Sequence, residues 1–153
     1  MLMKTLLTFA YQANRVRYFI TRPLTMGVKL LLVKDGAFLL VQHSYQRGWH
    51  LPGGGVKRGE TLEQAVRREA REELGATLDE LRLAGIYTHF GEYKSDHMVV
   101  FASEAFTFTG RSDAEIERYA FFAPDNLPEG ITPGTRRRVT EYAPGRAPDY
   151  GVW

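Results

Sequence analysis

Hydrophobic and polar residues follow two periodicities along this chain, one typical of strands and one typical of helices. Apolar runs at Val28–Val33 and Ala37–Gln42 flank the segment Lys34-Asp35-Gly36, which predicts a β-hairpin closed by an Asp-Gly turn. Runs rich in β-branched and aromatic residues predict further strands at Arg82–Thr88, His97–Phe101, Ala105–Thr109 and Tyr119–Phe122.

The N-terminal segment has helical periodicity. Its apolar side chains recur every three or four residues, at Leu2, Leu6, Phe9, Ala13 and Val16. We therefore expect an amphipathic helix whose apolar face packs on the rest of the domain. Lys4 and Arg15 interrupt the segment well short of the length that spans a bilayer, and Phe9-Ala10-Tyr11 fits a signal-peptide cleavage site poorly.

A second helix is predicted from Leu62 to Leu74. Thr61 and Gln64 have the spacing of a capping box, and Gly75 supplies the left-handed residue that commonly ends a helix. A third, short helix is expected at about Gly134–Tyr142. Because strands outnumber helices and the helices are spread along the chain, the pattern favours a mixed α/β domain around a curved, mixed sheet.

The chain divides into a helix and lead-in (1–22), a main domain (23–142) and a tail (143–153) that is expected to be loosely ordered, since it holds two prolines and two glycines. A length of 153 residues suits one domain. The absence of cysteine excludes disulfides and thiolate metal sites, so any metal must bind oxygen or imidazole. A net charge of +2 gives no strong nucleic-acid signal, and we expect a cytoplasmic protein with no membrane partner.

The predicted helix Leu62–Leu74 carries acids where a helix normally carries apolar side chains. On a helical wheel with Leu62 at the origin, its apolar residues span an arc from about −60° to +120°. Glu69 and Glu73 fall at about −20° and +20°, inside this arc, and Glu72 falls at about −80°, at its edge. We therefore expect Glu69 and Glu73 to point toward the core.

Inward-facing carboxylates need a positive partner, because a bare buried ion costs several kcal/mol. Arg68 has room to pair with one glutamate and Arg71 with another, so a structural network of ion pairs is one explanation. A bound cation is the explanation we favour, since Mg²⁺ prefers oxygen ligands and commonly bridges to substrate phosphates. The triplet Gly53-Gly54-Gly55 precedes the helix and lets the backbone approach a ligand or metal closely.

From Gly54 to Ala76 the sequence resembles the signature of the Nudix hydrolase family, G-x5-E-x7-R-E-U-x-E-E-x-G-U with U apolar. All seven fixed positions match, at Gly54, Glu60, Arg68, Glu69, Glu72, Glu73 and Gly75. The resemblance extends from about Gly27 to Pro128, because Trp49–Gly54 is similar to the segment that leads into the signature in the family. It implies an α/β/α sandwich around a curved mixed sheet, and cleavage of a phosphoanhydride bond in a nucleoside diphosphate linked to another group.

The resemblance also implies a metal site. By position, Glu69, Glu72 and Glu73 are similar to metal ligands of the family, together with the carbonyl of Gly53. Glu60 is similar to an outer or additional metal carboxylate. The implied cofactor is Mg²⁺, with Mn²⁺ as an alternative.

Catalytic roles follow from the same resemblance. They fall on Glu69 and Glu73, either of which is a candidate for the base, and on Arg68, which would orient a catalytic glutamate. In relatives a further acid comes from a loop past the later strands. Glu115 fits that spacing, and its rivals are Glu117 and Glu92.

Substrate contacts are expected from the backbone of Gly54 and Gly55, and from Tyr93. Tyr93 lies near the sequence position at which members of the family that act on dinucleoside polyphosphates carry a tyrosine. The weaker candidates have ordinary explanations. His43, His50, His89 and His97 share no metal-ligand spacing, so packing or an incidental surface role is favoured for each. The run Arg136–Arg138 is more typical of a solvated helix face than of a substrate site.

The sequence does not identify the nucleotide that is cleaved. A (d)NTP, a nucleotide sugar, ADP-ribose and a dinucleoside polyphosphate all remain open, and so does a homodimer. The alternative function is a non-catalytic Nudix-like domain that senses a nucleotide or RNA. Loss of signature glutamates would favour that alternative, and here Glu60, Glu69, Glu72 and Glu73 are all present.

Overall fold

The computed structural model describes residues 2–91, 93–110 and 115–153. The described helices are α1 (Leu2–Thr21), α2 (Leu62–Leu74) and α3 (Pro133–Glu141). The described strands are β1 (Leu24–Lys34), β2 (Ala37–His43), β3 (Ala76–Leu78), β4 (Arg82–Gly91), β5 (Lys94–Ser103), β6 (Phe106–Phe108), β7 (Ile116–Phe122) and β8 (Asp149–Val152).

The central sheet is mixed, as the sequence predicted. Its strands lie in the order β7-β2-β1-β5-β4-β8, and β3 pairs with β6 in a separate small sheet. β1 runs parallel to β5 and β4 parallel to β8, whereas the other neighbours in the large sheet are antiparallel.

Helices cover both faces of this sheet. Alternate residues of β1 point to opposite faces, so Val28 and Leu30 pack with the buried face of α2, whereas Leu31 packs with Val139 of α3. The α/β/α sandwich that the sequence resemblance implied is therefore confirmed.

The predicted Asp-Gly hairpin between β1 and β2 is present. Asp35 and Gly36 both have positive φ, at 52° and 75°, which is the conformation that a tight two-residue hairpin turn requires. β4 and β5 extend further toward their shared turn than the sequence predicted. Asp96, which strand propensity disfavours, is accommodated there because Thr25 Oγ1 and Lys94 Nζ donate to its carboxylate at 2.8 and 2.7 Å.

The C-terminal tail is a correction to the sequence prediction. Residues 143–153 were expected to be loosely ordered, yet β8 pairs with β4 and adds an edge strand to the sheet. The backbone N–H of Trp153 donates to the Thr88 carbonyl at 2.9 Å, and the Trp153 ring lies 6.2 Å from the ring of Tyr87. This pairing joins segments some sixty residues apart along the chain, so it left no local signal for the sequence prediction.

The N-terminal helix is present, but it faces the opposite way from the sequence prediction. Leu6, Phe9 and Val16, which were expected to pack on the domain, are exposed. The inner face carries Tyr11 and Tyr18 instead. No helix in the described ranges is long and apolar enough to cross a membrane.

α1 contacts the domain at two separate places. The Tyr11 ring lies 5.8 Å from the ring of Tyr45, which follows β2. Near the other end of the helix, Lys94 Nζ lies 5.5 Å from the centre of the Tyr18 ring. At both places α1 contacts the domain through the ring of a tyrosine, so its inner face is aromatic.

Candidate active site

α2 presents its carboxylates as the helical wheel predicted. Its buried apolar face consists of Ala65, Val66, Ala70 and Leu74. Glu73 is buried with them at 4% exposure, and the Glu69 side chain is 14% exposed. Glu72, which the wheel placed at the edge of the arc, has a side chain that is 45% exposed. The helix begins at the predicted capping box of Thr61 and Gln64 and ends at Gly75, whose φ is 61°.

The glycine loop holds the buried glutamate. The Gly53 N–H donates to Glu73 Oε2 at 2.7 Å, which partly offsets the cost of burying this carboxylate. Gly53 has a φ of 125°, and a Cβ at this position would lie 2.2 Å from the carbonyl oxygen of Val28. Only glycine therefore lets the loop lie against β1 and still point an N–H at α2.

Arg68 links the other carboxylates. Its Nε donates to Glu60 at 2.7 Å, and its Nη1 donates to Glu69 at 2.5 Å and to Glu72 at 3.0 Å. The hydrogen bond from Arg68 is the main reason that the pKa of Glu60 is lowered to about 2, and the same bonds raise the pKa of Arg68. The sequence suggested that Arg68 pairs with one glutamate and Arg71 with another. That division is wrong, because Arg68 contacts Glu60, Glu69 and Glu72, and Arg71 is exposed.

Lys29 belongs to the site and was missed by the sequence analysis. Its Nζ donates to the carbonyls of Gly53 and Leu51 at 2.8 and 3.1 Å. Burial lowers the pKa of Lys29, while the carboxylates of Glu73 and Glu69 oppose this change. The available signal was a single cation within the apolar run Val28–Val33, because a buried charge in a strand needs a partner.

The predicted metal ligands come together here, but cations of the chain hold the oxygens of all of them except Glu73, which accepts from the Gly53 N–H. Lys29 contacts the carbonyl of Gly53, and Arg68 contacts Glu60, Glu69 and Glu72. Among residues 2–91, 93–110 and 115–153, no group of three or more acidic or histidine side chains is already arranged to hold a metal ion. The donors are nevertheless all oxygens, and this chemistry fits a hard divalent cation.

Glu115 lies beside this region, directly before β7. Tyr45 Oη donates to Glu115 Oε2 in a long hydrogen bond of 3.5 Å, and the Ser44 N–H donates to the Glu115 carbonyl at 2.8 Å. Burial raises the pKa of Tyr45, and the charges of Glu115 and Glu73 raise it further. Tyr45 is therefore the residue on which the charges of Glu115 and Glu73 both act. Of the two rivals of Glu115, Glu117 is exposed nearby, and Glu92 lies outside the described residues.

A cavity of about 360 Å³ opens next to Tyr45. It is lined by Thr8 of α1, by residues 42–48 and by Glu117. The sequence analysis did not anticipate it, because its walls come from three segments that are distant along the chain.

The remaining candidates lie as follows. Gly54 approaches the carboxylate of Glu69, and the Gly55 carbonyl accepts a hydrogen bond from Arg68 at 3.0 Å, so both belong to the site. Tyr93 is in the turn between β4 and β5, and its ring lies 5.0 Å from the ring of Phe19. The structure thus packs Tyr93 against α1, which leaves its predicted contact with substrate without support.

His43 packs against two other rings. The His43 ring lies 5.2 Å from the Tyr45 ring and 5.5 Å from the His50 ring. Burial lowers the pKa of His43 to about 3, and the nearby charge of Lys29 adds to the effect. His43 is therefore neutral near pH 7.

Fold and site define a class of protein: an α/β/α domain in which a glycine loop and the helix after it gather oxygen donors at the end of a mixed sheet. Residues 21–142 match the family model described as NUDIX domain, and this chain belongs to the Nudix family. Nudix enzymes generally use divalent metal cations.

Individual relatives agree with this assignment. A segment of 53 residues is 51% identical to the nucleoside triphosphatase NudI of Escherichia coli O139:H28 (strain E24377A / ETEC); it covers 31% of this chain and only 38% of that protein. The MutT NUDIX hydrolase from Burkholderia pseudomallei is 30% identical with a TM-score of 0.72, covering 79% of this chain and 98% of that chain. The MutT protein from Methanosarcina mazei Go1 is 25% identical with a TM-score of 0.71, covering 78% and 93%.

Proposed function

We propose that this protein is a pyrophosphohydrolase that cleaves a phosphoanhydride bond in a nucleoside diphosphate linked to another group, with Mg²⁺ as its metal and Mn²⁺ as an alternative. The observation that carries the proposal is the buried carboxylate of Glu73, held by the Gly53 N–H at 2.7 Å beside Glu69 and Lys29. A fold does not need an acid at this position, since an apolar side chain would fill the same space at lower cost.

The proposed ligands of the metal are Glu69, Glu72, Glu73 and the Gly53 carbonyl, with Glu60 in an outer position. Held by these residues, a divalent cation would supply charge neutralisation at the phosphoryl oxygens and would lower the pKa of the attacking water. A glutamate that accepts the proton of that water contributes about 10²–10⁴ in rate.

The chain's own residues define the rest of the proposed site. Arg68 orients Glu69 and Glu72 through its guanidinium group. Glu115, fixed beside Tyr45, is proposed as the further acid of the site. The assignment of the base to one particular glutamate stays open.

The cavity beside Tyr45 is the proposed position of the nucleoside part of the substrate. At about 360 Å³ it has the size of a small-molecule site, and Tyr45, which lines it, donates a hydrogen bond to Glu115. The relative NudI is named a nucleoside triphosphatase, which makes nucleoside triphosphates the first substrates to test. A cytoplasmic location and a homodimer remain predictions from the sequence.

The proposal is tested by measuring magnesium-dependent phosphate release from a panel of nucleotides with pure protein. We expect turnover of at least one nucleotide, and a loss of about 10²-fold or more in kcat for Glu73→Gln at saturating Mg²⁺. The matched control is Glu63→Gln, because Glu63 lies on the exposed side of the same helix and forms a salt bridge with Arg67 at 2.9 Å. Full activity of Glu73→Gln would show that the assignment is wrong.

The alternative is a domain that binds a nucleotide as a sensor without turnover. Tight nucleotide binding by calorimetry, combined with no phosphate release from any member of the panel, would replace the enzyme with this alternative.

A further inference from the structure

The outer face of α1 is an apolar stripe that the domain does not cover. Leu6, Phe9, Val16 and Ile20 are 61%, 72%, 64% and 75% exposed. On a helical wheel these residues fall within an arc of about 80°, centred about 180° from Tyr11 and Tyr18 on the inner face. The helix therefore packs on the domain through its aromatic face and presents its most apolar face to solvent.

Two more apolar side chains are exposed on the sheet, Leu24 of β1 and Phe90 of β4, at 72% and 70%. Both are register partners of Ser95 on β5, whereas the preceding residue on β5, Lys94, contacts Tyr18 of α1. Because successive residues of a strand point to opposite faces of the sheet, these two side chains lie on the other face and do not extend the stripe. We call Leu6, Phe9, Val16 and Ile20 together the N-terminal apolar surface.

The segment that contains α1 carries charge of one sign. Residues 1–34 contain no aspartate or glutamate. On the same wheel, Arg17 lies beside the stripe, about 60° from its centre. Arg17 and Arg22 are exposed. An amphipathic helix with basic residues beside an apolar face is the type of element that lies in the interface of an anionic bilayer.

A second copy of the chain fits this surface less well. Two N-terminal helices would bring together segments that both carry only positive charge, without an acid to pair across the contact. The stripe is also shorter than the three to four heptads that typically specify a coiled coil.

We propose that α1 is a membrane-docking helix, whose N-terminal apolar surface inserts into the headgroup region of a bilayer that contains anionic lipids. α1 would lie in the plane of the interface without crossing the bilayer. Because its inner face contacts Tyr45 next to Glu115, docking would hold the candidate active site at the membrane surface. This inference goes beyond the proposed function and does not depend on it.

The experiment is co-sedimentation of the full chain with vesicles of phosphatidylcholine alone or of phosphatidylcholine mixed with phosphatidylglycerol. We expect binding to the mixed vesicles, weakened by salt, and little binding to phosphatidylcholine alone. Phe9→Glu combined with Ile20→Glu should weaken binding to mixed vesicles by roughly tenfold or more. Arg17→Gln should weaken it about fivefold, because each cation near an anionic surface contributes about that factor.

The matched control is Tyr150→Glu, because Tyr150 is 86% exposed on β8 and does not belong to the N-terminal apolar surface. It should bind mixed vesicles like the unmodified protein. Nucleotide turnover without vesicles, where present, should be the same in all these variants, which separates a failure of docking from a failure of the proposed function.

Two results would overturn the proposal. The first is that the unmodified protein and the Phe9→Glu, Ile20→Glu variant sediment equally with mixed vesicles, or that neither protein sediments with them. The second is that light scattering shows the unmodified protein to be a dimer and this variant to be a monomer, while neither binds vesicles. That result would assign the surface to a second copy of the chain.

Discussion

At the scale of single residues, the site depends on how closely the glycine loop approaches α2. A Cβ at Gly54 would lie 2.7 Å from Glu69 Oε1, closer than real Cβ contacts, whereas a Cβ at Gly55 meets nothing within 4 Å. We predict that Gly54→Ala displaces the Glu69 carboxylate and lowers kcat by about 10²-fold, because a displacement of about 1 Å in a catalytic group has effects of this size.

The same substitution should leave the melting temperature nearly unchanged, since the atoms in the way are the far end of a side chain and not backbone. Gly55→Ala is the control and should keep both its activity and its stability. Steady-state kinetics at saturating Mg²⁺ and thermal melts measure the two properties. Equal kinetic losses in both variants would show that the approach of Gly54 to Glu69 does not matter for the reaction.

At the scale of elements, the C-terminal strand is fixed by packing on the α3 side of the sheet. The guanidinium carbon of Arg138 lies 3.7 Å from the centre of the Tyr87 ring and 5.9 Å from that of Trp153. Gly134 of α3 leaves the space that the Trp153 indole occupies, because a Cβ there would lie 2.0 Å from Nε1. We predict that Trp153→Ala lowers the free energy of unfolding by about 2–3 kcal/mol, somewhat less than a fully buried tryptophan would.

Chemical denaturation measures this loss, with Tyr150→Ala as the control because its side chain on the same strand is exposed. The control should stay within about 0.5 kcal/mol of the unmodified protein. Similar stability of Trp153→Ala and the unmodified protein would mean that β8 does not support α3.

At the scale of the whole molecule, a buried histidine links stability to pH. Burial lowers the pKa of His43 from 6.5 to about 3. Between these values the unfolded chain binds a proton at His43 and the folded chain does not, so the stability contributed by neutral His43 is complete above pH 6.5 and is lost as the pH falls toward 3. We predict that His43→Gln makes the fall in unfolding free energy between pH 7 and about pH 5 shallower.

Denaturation curves of both proteins across this pH range measure the difference in their unfolding free energies. The contribution of the carboxylates cancels in this difference, because the same carboxylates titrate in both proteins. Parallel pH profiles would contradict the prediction, whatever constant difference in stability the substitution causes.

The features that the sequence determined by itself are those with short-range causes. The capping box at Thr61, the stop at Gly75 and the turn at Asp35 each depend on residues within a few positions, and all three are present. The inward direction of Glu69 and Glu73 followed from helical periodicity alone. Their identity as an oxygen-rich site followed from the spacing of the signature.

Tertiary structure alone decided which surfaces meet. Lys29 and Gly53 lie 24 positions apart, and only the path of the loop across β1 brings the ammonium to that carbonyl. β8 was hidden for the same reason, since its partner strand is distant along the chain. The orientation of α1 shows the limit most clearly: periodicity identified its apolar face, but the aromatic and charged groups at the end of the sheet decided that the other face packs inward. Local patterns specify an element and its faces, whereas the neighbours available in the fold determine which face is buried.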